Sequence, residues 1–130
     1  MKRLLPALIS FLFLVGSYNG GEPVRSDRPE TVMVTFRAKA GAEAELAQVI
    51  ANHWKTANDL NLVTGAPHLT LRGTDESKGA YFVEIFTWRD QSIPDAAPAP
   101  IQKIWAEMNA LVENRGGHPG LTFTEVSVIK

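Results

Sequence analysis

The stretch Ala80–Asp90, Ala-Tyr-Phe-Val-Glu-Ile-Phe-Thr-Trp-Arg-Asp, limits what this chain can fold into more than any other. It is the longest apolar run after the N-terminus, rich in β-branched and aromatic residues and free of Gly and Pro, so it reads as a strand. Apolar residues stand at both parities: Tyr81, Val83 and Ile85 on one face, Phe82, Phe86 and Trp88 on the other. A strand that is apolar on both faces needs cover on both.

The elements around it come in a definite order. Thr31–Arg37 alternates Val32, Val34 and Phe36 on one face and reads as the first strand. A helix follows over about Ala42–Asn58, with Leu46, Ile50, His53 and Ala57 at helical spacing and Glu43 and Glu45 in its first turn. Asn61 and Gly65-Ala66-Pro67 end it. His68–Arg72 is a short second strand with Leu69 and Leu71 on one face, and the polar segment Gly73–Gly79 turns into the Ala80 strand. A Pro-rich connection, Asp90–Pro100, leads to a helix over Ile101–Arg115, striped by Ile101, Ile104, Trp105, Met108, Leu111 and Val112. Gly116-Gly117 and Pro119 close it, and Leu121–Ile129 is the last strand.

The order β-α-β-β-α-β predicts an α+β, ferredoxin-like fold: an antiparallel four-stranded sheet with two helices on one face. The helices cover one face of the Ala80 strand, and no third layer remains in the chain for the other. A second copy of the same sheet is the economical cover, so the expected partner is a homodimer.

The 130 residues suit one domain. Residues 1–21 stand apart. Lys2-Arg3, an apolar run from Leu4 to Val15 and a small, polar Gly16–Gly21 segment have the layout of a secretory signal peptide. The run falls short of the roughly 20 residues of a spanning helix. Cleavage is expected after Ser17, Gly20 or Gly21, giving an exported protein, periplasmic or secreted, with no stable membrane insertion. An uncleaved N-terminal anchor is the alternative. Residues 22–30 read as a flexible lead-in and 31–130 as the folded domain.

Removal of Lys2 and Arg3 leaves eleven bases against fourteen acids, without a basic stripe, which argues against nucleic acid as a partner. With no cysteine there is no disulfide, thiol nucleophile or thiolate metal site. The three histidines lack metal-ligand spacing, so no metal is expected. Phosphate-loop, dinucleotide and nucleophile-elbow motifs are absent, and no cofactor is expected.

Five residues are candidates for chemistry. Glu84 has Phe82 and Phe86 as same-face neighbours, and a carboxylate held among aromatics is a candidate general base; alternatively it pairs with Arg37 or Lys39. His53, on the apolar side of its helix, is either a hydrogen-bonded core residue or the second candidate base. Trp88, Trp105 and Phe86 either pack the core or line a cavity for a small apolar or aromatic molecule. A cavity of several hundred Å³ beside His53 or Glu84 favours an enzyme, and a sealed core with every polar group paired favours a non-catalytic binding or stress module. His68 and His118 are expected at the surface.

Residues 31–129 resemble a dimeric α/β-barrel domain of the antibiotic-biosynthesis-monooxygenase type. The resemblance lies in Val34–Leu46 (Val-Thr-Phe-Arg-Ala-Lys-Ala-Gly-Ala-Glu-Ala-Glu-Leu), in Val83–Asp90 (Val-Glu-Ile-Phe-Thr-Trp-Arg-Asp), and in the Trp105 helix followed by a strand with Glu125-Val126. It implies a dimeric barrel and, among known activities, cofactor-independent monooxygenation of a small aromatic or quinol-type substrate, or haem degradation. Trp88 matches the strand-ending Trp of the haem-degrading branch. That branch's first-strand Asn and helical His have no counterpart here, since Ser92–Glu107 contains no His.

Overall fold

The computed structural model describes residues 28–130; the expected signal peptide and most of the lead-in lie outside the described residues. The elements are β1 (Glu30–Arg37), α1 (Glu43–Asp59), β2 (Leu69–Thr74), β3 (Ala80–Trp88), a short 3-10 turn (Ile93–Ala96), α2 (Ala99–Leu111) and β4 (Leu121–Glu125). The sheet order is β2-β3-β1-β4, with every neighbouring pair antiparallel. This is the expected α+β layout in ferredoxin-like order, with the Ala80 strand beside β1 at the centre of the sheet.

Side-chain parity assigns the two faces. On β1, Val32, Val34 and Phe36 are buried, while Thr31, Met33, Thr35 and Arg37 between them are partly exposed. On β3, Phe82, Glu84, Phe86 and Trp88 are buried on the helix side. Leu46, Ile50, His53 and Ala57 of α1, and Ile101, Ile104, Trp105 and Met108 of α2, close over that face. The outer face carries Met33, Val83 and Ile85 in adjoining register, and Leu69 and Leu71 complete it at 51% and 52% exposure.

Two boundaries differ from expectation by more than two residues. α2 ends at Leu111 instead of Arg115, because the chain leaves the helix to pair with the end of β1. The Glu113 amide donates to the Arg37 carbonyl at 2.9 Å, and Lys39 donates to Leu111 at 2.9 Å. Arg115 is thereby freed from the helix and bonds the carbonyls of Ala38 and Ala80 and the carboxylate of Asp75. β4 stops at Glu125, leaving Val128 and Ile129 exposed past the last partner on β1. On β2, Leu69 and Leu71 share one face as expected, and their register with Ile85 and Val83 makes it the outer one.

Candidate functional site

Glu84 lies at the middle of β3, opposite Val34 on one side and Thr70 on the other, and its side chain points to the helices. The carboxylate is 0% exposed. Among the described residues no Arg or Lys reaches it, and the alternative pairing with Arg37 or Lys39 is not made within the chain. Strand parity is the reason: Arg37 stands on the outer face of β1, where its Nη1 donates to the Pro119 carbonyl at 3.0 Å.

Two histidines face the carboxylate instead. His53 comes from α1, with Nδ1 3.5 Å from Glu84 Oε1. His68 comes from the loop before β2, with Nε2 3.5 Å from Glu84 Oε2. These separations are too long for hydrogen bonds, and both Glu84 oxygens and His53 Nδ1 are buried without one. Transferring a charged carboxylate out of water without hydrogen bonds is among the costliest burials a core contains.

Trp105 sets the state of His53. Its indole N–H donates to His53 Nε2 at 3.1 Å. An indole can only donate, so Nε2 accepts and the proton of the neutral ring is on Nδ1, aimed at Glu84. Protonation of Nε2 would break the Trp105 bond. His53 is therefore blocked at one nitrogen and turned toward the carboxylate at the other. Phe86 and Trp88 hold the ring edge-on, with centroids at 5.5 and 6.1 Å. Trp88 packs in turn on Phe86 at 5.0 Å and on Trp105 at 6.4 Å.

The expected candidates His53, Glu84, Phe86, Trp88 and Trp105 thus form one contiguous cluster. His68 is an exposed residue, as expected, with a side chain 29% exposed, and its inward nitrogen also makes it part of the cluster. Trp54 stacks on its ring at 4.2 Å with planes 12° apart. No local sequence pattern marks it: His68 precedes β2, and only the pairing of Thr70 with Glu84 brings it to the carboxylate. His118 is an exposed loop residue.

A cavity adjoins the cluster, bounded by Glu84, Val34, Trp88, Pro94, Trp105 and Phe123 among others. It leaves about 30 Å³ open to the centre of a water-sized sphere, room for roughly two waters. This is neither the cavity of several hundred Å³ nor the fully paired core considered from sequence: the space is small, and the Glu84 oxygens and His53 Nδ1 beside it are unpaired. Among the described residues no group of three or more His, Cys, Asp or Glu side chains is gathered so as to hold a metal ion. None of the described helices is long and apolar enough to cross a membrane.

No protein-family model, curated protein or solved structure matches this chain.

Proposed function

We propose that this protein is an exported, monooxygenase-type α/β-barrel domain that binds a small apolar or aromatic molecule between sheet and helices and withdraws a proton from it with Glu84. The observation that carries this reading is the Glu84 carboxylate, fully buried with no hydrogen bond to either oxygen. A carboxylate that served packing alone would be satisfied by backbone amides or a cation. Glu84 has instead two imidazoles at 3.5 Å and an aromatic wall.

In this reading Glu84 is the base. His53 is a positioning residue whose Nδ1–H is aimed at Oε1 and leaves Oε2 to take the proton, and Trp105 fixes the tautomer that makes this possible. Phe86 and Trp88 shape the wall, and the apolar lining excludes water, which strengthens the charge interactions inside.

The test uses small cyclic enones and hydroxyarenes in deuterated water, with proton NMR following replacement of exchangeable C–H positions. The expected result is that some compounds bind and exchange, and that Glu84→Gln lowers exchange by about a hundredfold while leaving binding in place. Exchange that survives in E84Q would remove Glu84 as the base. Failure of every compound to bind would favour the non-catalytic module.

A further inference from the structure

We propose that His68 is the proton port of this site: it carries protons between buried Glu84 and solvent, with Trp54 as its rest. The inference rests on Glu84 acting as a base, and it follows from a dead end. A proton taken up by Glu84 must leave for the next cycle to begin, yet the carboxylate has no exposed surface. Only two titratable side chains face it among the described residues, His53 and His68. His53 offers no exit. Its Nδ1 already bears the proton in the neutral ring, and its Nε2 accepts from a group that can only donate. The ring is also buried on all sides by Phe86, Trp88 and Trp105.

His68 differs on each count. Its Nε2 lies 3.5 Å from Glu84 Oε2, on the side of the carboxylate away from His53. Its side chain reaches solvent, with 29% of its surface exposed. No hydrogen bond fixes either ring nitrogen among the described residues, so the ring is held by stacking on Trp54. Stacking fixes the plane but leaves both nitrogens free to exchange protons.

The step is a proton transfer with no other change in bonding. The O–H bond of protonated Glu84 breaks at Oε2, and an N–H bond forms at His68 Nε2, giving a carboxylate and an imidazolium. The imidazolium turns off Trp54 toward solvent, loses its proton to water, and returns neutral with Nε2 free. Stacking on Trp54 keeps the returning ring in plane and keeps bulk water away from Glu84.

Exchange of substrate C–H for deuterium tests this on the full chain, using the compounds that bind. Deuterium enters only if the proton held by Glu84 leaves and a deuteron replaces it, so loss of the port lowers incorporation. His68→Phe keeps a ring on Trp54 and cannot carry a proton, so incorporation is expected to slow by about tenfold or more, with imidazole buffer restoring part of the rate. His68→Gln, which alters packing differently, is expected to slow it as well. Incorporation as fast in H68F and H68Q as in the unaltered chain, while E84Q loses it, overturns the port and leaves Glu84 as the base. Incorporation that survives in E84Q, or failure of every compound to bind, overturns both.

Discussion

At the scale of single residues, Trp105 decides more than its bulk implies. Its indole N–H is the partner that holds His53 Nε2 as an acceptor. Trp105→Phe keeps most of the packing and deletes only the donor. The expected cost is about 1–3 kcal/mol in denaturant unfolding, combining a lost buried hydrogen bond with a small void. A structural role alone predicts nothing more. With the donor gone, the His53 N-bound proton is expected to redistribute between Nδ1 and Nε2 in W105F, visible in nitrogen-15 NMR of the imidazole. A ring that stays wholly in the Nδ1–H form would show that Trp105 is packing only. His53 and Glu84 were legible in the sequence because each sits at a defined period, on an apolar helix stripe and among alternating aromatics. His68 was not, because it enters from a loop where no period assigns direction. Its approach to Glu84 depends on the register of β2 against β3, which no local pattern specifies.

At the scale of elements, the end of α2 is held by one side chain. Arg115 ties the β2–β3 turn to the end of β1 through Asp75 at 2.8 Å, Glu113 at 2.9 Å and the carbonyls of Ala38 and Ala80. Burial works against the charged form of Asp75. The Arg115 hydrogen bond, the Gly79 and Ser77 amides and the charge on Arg115 outweigh it and hold the carboxyl below its ordinary value of 3.8. The folded state thus binds this proton less readily than the unfolded state. The resulting stability is fully present above pH 3.8 and is lost as pH falls through the lower folded value. Asp75→Asn should therefore melt below the unaltered protein at neutral pH, with the gap closing as pH falls through that window, where both side chains become uncharged. A gap constant with pH would mean that Asp75 acts through shape alone. Element order and type were readable from periodicity, and so were most boundaries. The early end of α2 was not, since its apolar stripe continues through Val112. The competing pairing of that segment with β1 is a contact between chain ends far apart in sequence. The outward turn of Leu69 and Leu71 was hidden for a related reason: alternation shows that two residues share a face but does not say which layer covers it.

At the scale of the whole molecule, the sheet has one finished face and one unfinished. The outer face joins Leu69 and Leu71, about half exposed, to Val83, Ile85 and Met33 through the β2–β3 and β3–β1 registers. A continuous apolar strip along an edge strand is a liability unless something covers it. A second copy packed sheet to sheet is the proposed cover, and a two-fold arrangement would use each leucine twice. Leu71→Lys therefore removes two buried leucines from each dimer. The expected loss is about 4 kcal/mol, or roughly a thousandfold in the dimer Kd, read by sedimentation equilibrium. Because Leu71 points away from the helices, the same variant should keep its fold and leave C–H exchange unchanged. Monomeric behaviour of the unaltered chain at tens of micromolar (~10⁻⁵ M, weaker than about −7 kcal/mol) would sink the sheet-to-sheet dimer. Such a result would not touch the cluster around Glu84, which lies on the opposite face and is built from one chain. The separation matters for interpretation: a variant that loses both dimer and site would point to misfolding, whereas loss of either one alone identifies which face the substitution reached.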